Sequence, residues 1–426
     1  MLVRDQAPAY NKIDKISITE AKKETLDNGI SVFSIDSGSQ ELVRVEFNFK
    51  GGSWTQSKKL QASHTLNMLE NGTANYTADE ISEHLDFYGS FFEAASGFDR
   101  SLTALYSLNK HLDNSIGYVE EIIKNPTFPK DEYDIFLENS IQRFLVNSKK
   151  VSFISKNEFA SFIFGDDHPY NNKVTNENFK SLTRDDLTDF YGKHFNYKNC
   201  SIIISGRLPS NYITLLNNHF GTGKWGSDVK LQDPSFEIKS SEQRKHLIVK
   251  EDAIQSSIRI GRSLFNKKHP DYFKFQLLNT VLGGYFGSRL MSNIREDKGY
   301  TYGIGSGLVS LINGGYFFIS TEVGIDVTQK TLDEIYFEIK RLREELIPEE
   351  ELKLVKNYFL GSFLRSIDGP FALAEKFKAV WEFGMDYNYY TRYIDEVSNC
   401  TAEELLDIAN KYLQEEDLIE LVVGKK

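Results

Sequence analysis

Apolar and polar positions alternate with period two in a series of short runs. The first are GISVFSID (29–36) and LVRVEFNFK (42–50), then SFFEAASGF (90–98) and SLTALYSL (101–108). A second series follows much later: KHLIVK (245–250), SSIRIGRSLF (256–265), YGIGSGLV (302–309) and GYFFISTEV (315–323). Their β-branched and aromatic residues in alternation predict strands. The stretches between carry a helical period, clearest in TLDEIYFEIKRLREEL (331–346). Each series closes on a helix, a short linker and an apolar strand that ends at glycine.

The two closing segments are related. LTRDDLTDFYGKHFNYKNCSIIISG (182–206) aligns with CTAEELLDIANKYLQEEDLIELVVG (400–424) at a shift of 218. Thr183 meets Thr401, Leu187 meets Leu405, Lys193 meets Lys411 and Gly206 meets Gly424. Each copy opens with Thr followed by acids in the first turn, the pattern of a capped helix start. Earlier, LNMLENG (66–72) meets LNTVLGG (278–284) at a shift of 212. ISEH from Ile81 meets IREDK from Ile294 at a shift of 213. Similar shifts at distant places predict two related halves in tandem. The expected boundaries are 1–220 and 243–426, with the Gly/Ser/Asp-rich stretch 221–242 as linker. The fold class is α+β, each half an antiparallel-rich mixed sheet packed by helices.

Composition narrows the partners. The chain has 426 residues, 40% hydrophobic and 26% charged, which suits a globular protein of several domains. The net charge of −11, with no basic block, argues against nucleic acid and anionic membrane surfaces. MLVRDQAPAYNKIDK (1–15) lacks an apolar signal core, and no later run reaches ~18 apolar residues. A cytoplasmic location is expected, or a periplasmic one if the true start lies upstream. Cys200 and Cys400 stand alone and read as buried thiols.

Several motifs fail on inspection. GTGKWG (221–226) is no phosphate loop, because Trp225 follows Lys224 and Asn218 replaces the first glycine. GGYFGSR (283–289) lies between two helices, whereas a dinucleotide fingerprint follows a strand. No two of the eight histidines stand four residues apart, so no helix presents a zinc-protease pair.

The stretch LQASHTLNMLENGT (60–73) nevertheless sits in a telling frame. Leu60, His64 and Met68 stack at four-residue spacing, and Asn71-Gly72 ends the pattern. Around it, ETLDNGISVFSIDSG (24–38), FNFKGGSW (47–54), FGDDHPYNN (164–172) and LGGYFGSRLMSNIREDKGYTYGIGSG (282–307) follow in order. Together these segments resemble landmarks of the M16 (pitrilysin/insulinase-like) zinc peptidases, specifically the two-domain M16B type, over essentially the whole chain.

The resemblance implies a zinc helix with HxxEH, two His ligands and a Glu base, and a further Glu on a later helix. Anchored on MLENGT, those functions fall on Ser63, Leu66 and Asn67, with the distal Glu near Gln142 and Arg143. His64 is one residue off, about 100° round the helix. Leu66 cannot take a proton, and Ser63 and Asn67 are poor zinc ligands. The helix therefore resembles a zinc helix whose chemistry has been replaced, and no metal is expected in this chain. His64 is expected as a half-buried core residue.

The second half keeps what the first has lost. Family members carry an Arg and, seven residues later, a Tyr, and IREDKGYTY supplies Arg295 and Tyr302. Without the resemblance, Arg295 reads as a solvated ion pair and Tyr302 as strand packing. With it, both are donors suited to an oxyanion or to neighbouring peptide carbonyls, and neither side-chain type can generate a nucleophile. The resemblance thus implies the non-metal subunit of a heterodimeric peptidase. An HxxEH-bearing partner would supply the zinc, and unfolded or short peptides would be the substrates. The alternatives are a structural or assembly protein, similar to the core subunits of the bc1 complex, and a peptide-binding bowl without catalysis.

Overall fold

The computed structural model describes residues 16–228, 231 and 234–426. The segment 1–15, on which the signal-sequence reading rests, and part of the linker lie outside the described residues. In the first half the strands are β1 (Lys22–Thr25), β2 (Ser31–Asp36), β3 (Leu42–Lys50), β4 (Phe91–Ser96), β5 (Arg100–Leu108) and β6 (Cys200–Gly206). In the second they are β7 (Lys245–Val249), β8 (Gln255–Leu264), β9 (Ile304–Leu311), β10 (Gly314–Gly324) and β11 (Ile419–Gly424).

The first sheet has the order β1-β2-β6-β3-β5-β4 and the second β7-β11-β8-β10-β9. Five strands thus correspond one to one, and β1 is an extra edge that weak alternation in KKET had not announced. One neighbouring pair in each sheet is parallel, β2 with β6 and β7 with β11, and the others are antiparallel. Both sheets are therefore mixed and mainly antiparallel.

The duplication has a local cause at each closing segment. Thr183 and Thr401 cap their helices, each accepting from the backbone N–H three residues on, at Asp186 and Glu404. The two acids return the bond to the cap backbone, closing a capping box. At the strand ends, Gly206 and Gly424 adopt φ of 132° and 137°. A side chain at either would strike the start of the neighbouring strand, at Leu42 or Ser256.

The halves exchange a helix. Pro370–Trp381, from the second half, lies on the first sheet, where Leu373, Ala374 and Phe377 pack on Phe33, Ile35 and Ile203. Val151–Phe164, from the first half, lies on the second sheet, where Phe159, Ile163 and Phe164 join Ile419, Leu421 and Val423. The opposite face of each sheet is covered by its own half's helices, giving two larger cores. Between residues 222 and 244 the described residues contain no helix or strand.

Candidate functional site

The helix Gln61–Asn67 is shorter than its apolar spacing predicts. Leu60 stands outside it with φ 73°, and Met68 is its C-cap. Leu66 is 1% exposed and belongs to the main core of the first half. Asn67 is exposed. Ser63 spends its hydroxyl on the Leu60 carbonyl, 3.1 Å away.

His64 is buried rather than half-buried. It sits where three helices meet, with Phe136 at 4.9 Å and Phe179 at 5.8 Å between ring centroids. Its Nε2 is buried without a hydrogen-bond partner. Burial, reinforced by the Arg143 charge, lowers its pKa to about 4 and keeps it neutral.

The helix Lys130–Asn147 carries the distal position, and there Gln142 and Arg143 are both exposed. This donor set does not fit zinc. One member is a buried alkyl group, one is a hydroxyl already donating, and a guanidinium charge acts on the lone nearby imidazole. Among the described residues no group of three His, Cys, Asp or Glu side chains is placed to hold a metal ion.

The second half builds a different surface. Arg295 lies in the π-helical turn Met291–Asp297, and the chain then folds back through 299–303 into β9. Tyr300 N–H donates to the Ile294 carbonyl at 3.0 Å. The Thr301 hydroxyl donates to the Glu322 carbonyl at 2.8 Å and receives Thr321 Oγ1 at 2.9 Å. The segment is thus tied to β10, and Tyr302, held in a bend just before β9, projects outward. It is 92% exposed, so it neither packs in a strand nor supports the core.

Arg295 and Tyr302 are brought together. The Arg295 guanidinium lies 5.4 Å from the Tyr302 ring centroid and 4.6 Å from that of Phe286, which is itself exposed. The solvated ion pair that Arg295 would suggest on its own is not formed, since no carboxylate among the described residues lies within 4.0 Å of this guanidinium. The chain presents a cation stacked between two exposed rings, a surface that sequence spacing alone could not show. Phe286, inside the glycine-rich lead-in, was not singled out by the sequence. Its only signal was a large apolar side chain in a polar, glycine-rich turn.

Two edge strands, β4 and β9, border these elements. The Ser306 N–H of β9 already donates to the Gly283 carbonyl, so the glycine turn covers part of that edge. Residues Phe91–Ser96 form no backbone hydrogen bond beyond their pairing with β5 among the described residues. Phe91, 59% exposed, marks β4 as an open edge. No helix among the described residues is long and apolar enough to cross a membrane.

Comparison with known proteins agrees with this architecture. Residues 181–359 match the family model described as the peptidase M16 inactive domain. An uncharacterized zinc protease of Rickettsia felis is 23% identical over 399 residues, covering 91% of this chain and 93% of the relative. A protein of Helicobacter pylori described as the non-peptidase homolog YmxG is 21% identical over 386 residues, 88% of this chain and 87% of its own. Among solved structures, a peptidase M16 inactive domain from Pseudomonas fluorescens superposes with a TM-score of 0.83 at 21% identity. It covers 95% of this chain and 98% of that one. A protease from Helicobacter pylori gives a TM-score of 0.85 at 19% identity, over 96% and 100%. The chain is thus similar in sequence to M16 proteins, and its fold is that of the solved M16 inactive-domain protein over nearly its whole length.

Proposed function

We propose that this chain is the non-metal-binding subunit of a heterodimeric M16B-like zinc metallopeptidase. The observation that carries this reading is the half-buried Arg295 guanidinium against the exposed Tyr302 ring, in a chain whose zinc-helix base position is a buried leucine. A nearly fully exposed tyrosine stacked on a cation contributes little to the fold, so its position makes sense when something docks on it.

A partner bearing HxxEH supplies the zinc, its ligands and the Glu base, and with them the activated water. Arg295 and Tyr302 donate hydrogen bonds to a bound peptide and to the carbonyl oxygen as charge develops on it. The peptide is extended, because backbone pairing at a sheet edge such as β4 reads main chain more than side chains. Unfolded or short polypeptides are the substrates.

The description of one relative as a non-peptidase homolog favours a second reading, a structural or peptide-binding protein without catalysis. One experiment separates the two. Zinc content and peptide cleavage are measured for this chain alone, then mixed with an HxxEH-bearing homologue from the same organism. No zinc and no cleavage alone, with cleavage on mixing, supports the shared site. Stoichiometric zinc on the lone chain overturns it. A stable complex that never cuts peptides moves the assignment to a scaffold.

A further inference from the structure

The duplication supplies an internal control for the second sheet. Glu46 on β3 stands opposite Ala104 and Ile203. Arg259 on β8 stands opposite Ser320 and Leu421. Ile203 and Leu421 are partners in the 218-residue shift, so Arg259 occupies the place of Glu46.

In the first sheet that row of charges is satisfied. Arg44 pairs with Glu46, and the exchanged helix Pro370–Trp381 adds Glu375, 2.6 Å from Arg44, and Lys378, 2.9 Å from Glu46. In the second sheet the exchanged helix brings serines instead. Ser155 bonds Ser257 at 2.7 Å, and Ser152 stands at the cleft wall. The Nε of both Arg44 and Arg259 is buried without a partner, but among the described residues Arg259, unlike Arg44, forms no ion pair and no hydrogen bond at all. Its neighbours are the Phe318 ring, 5.8 Å away, with Tyr316 and Glu322 on the same sheet face.

That face opens into a cleft of about 690 Å³. Gln255, Ser257 and Arg259 form its floor with Ser320 and Glu322, and Tyr302 stands at its rim. We propose that this cleft is a carboxylate-binding subsite, in which Arg259 takes an acidic side chain or the terminal carboxylate of a peptide lying against Tyr302. The proposal rests on the reading that a peptide reaches Tyr302, and it adds what that peptide must carry.

A half-buried guanidinium with an unused donor is suited to a bidentate carboxylate. The serines bordering it are neutral and do not compete for its charge. Glu322, exposed at the same floor, draws on the same guanidinium charge, so the cleft offers too little positive charge for a ligand with several negative charges. The cleft therefore selects one carboxylate and rejects polyanions. A volume of this size accommodates a side chain with its flanking backbone.

The test uses three fluorescent peptides of one sequence with no other acid: one with a single Glu and a free C-terminus, the same with Gln for Glu, and the Gln peptide with its C-terminus amidated, which carries no carboxylate. Binding to the chain alone is measured by anisotropy, and kcat/KM is measured with the HxxEH-bearing partner present. Loss of the relevant carboxylate should weaken binding roughly tenfold or more. The Gln peptide failing identifies a side-chain acid, and the amidated peptide alone failing identifies the terminus. Arg259→Gln should bind all three alike. Equal binding of the three by the unaltered chain overturns the subsite, and so does a preference that survives in Arg259→Gln. Absence of all binding overturns it as well. A carboxylate preference in binding without cleavage by the mixed chains leaves the subsite standing and removes the peptidase assignment.

Discussion

Position 66 decides what the helix Gln61–Asn67 can do. Leu66 is 1% exposed and packed in the main core of the first half, so no proton-accepting side chain stands there. Asn67→His alone should therefore create no zinc site, because Ser63 and Leu66 supply neither a second ligand nor a base, and metal analysis of that variant checks this. Neighbouring His64 shows the same commitment to the core, because burial lowers its pKa to about 4. The ordinary value near 6.5 holds in the unfolded chain, so protonation favours unfolding. The His64 contribution is complete above pH ~6.5 and is lost as pH falls toward about 4, by about 3 kcal/mol in all. His64→Leu should flatten the fall in urea midpoint between pH 6.5 and 4; an unchanged slope would show that other groups carry the acid lability. Tyr302, 92% exposed, and half-buried Arg295, which forms no ion pair among the described residues, lie outside the core, and their truncation should touch the fold little. Arg295→Ala and Tyr302→Phe should each lower turnover of the mixed chains roughly 10²-fold if they act as oxyanion donors. Melting temperature and zinc content should stay put, and full turnover in both variants would leave the pair without a catalytic role.

At the scale of elements, the paired strands and the capped helices were legible because their signals are local. Alternation marked β2 to β5 and β7 to β10, apolar runs ending at glycine marked β6 and β11, and Thr183 and Thr401 with their acids marked two helix starts. The alternating run from Tyr302 predicts a strand that starts too early: β9 begins at Ile304, and Tyr302 is left outside it because Thr301 is tied to β10. His64 was misjudged because Phe136 and Phe179 come from helices far along the chain. The helix exchange was invisible for the same reason, since no local pattern says which sheet a helix will cover. The exchanged helix Pro370–Trp381 is held by charge as well as by apolar packing. Lys378 meets both oxygens of buried Glu46, at 2.9 and 3.0 Å. Lys378→Met should cost about 2 kcal/mol, less than the roughly 3–5 kcal/mol of a buried charge that loses its only partner. Arg44 and Asn48 still bond Glu46 in that variant. A change below ~0.5 kcal/mol in denaturant unfolding would mean that the apolar face alone seats the helix.

For the whole molecule, the exchange makes each half incomplete without the other. Without Pro370–Trp381, the first sheet would bare Phe33, Ile35 and Ile203; without Val151–Phe164, the second would bare Ile419, Leu421 and Val423. Burial of such side chains stabilises by about 1.5–3 kcal/mol each, so a separated half loses much of what makes it stable. The linker adds its own ties, with Lys239 and Ser241 N–H donating to Phe164 and Phe162 carbonyls. The exposed stretch at Thr222–Lys224 precedes those ties. A protease site inserted there and cut should therefore leave two fragments that co-elute as one particle and melt in a single transition. Halves expressed apart should be unfolded or aggregate, and should recover the native melting profile only when refolded together. Fragments that separate under native conditions would show that the exchanged helices do not lock the halves. The outcome bears on function, because a locked chain holds the helix Gln61–Asn67 of the first half and the Arg295–Tyr302 stack of the second in a fixed relation to each other.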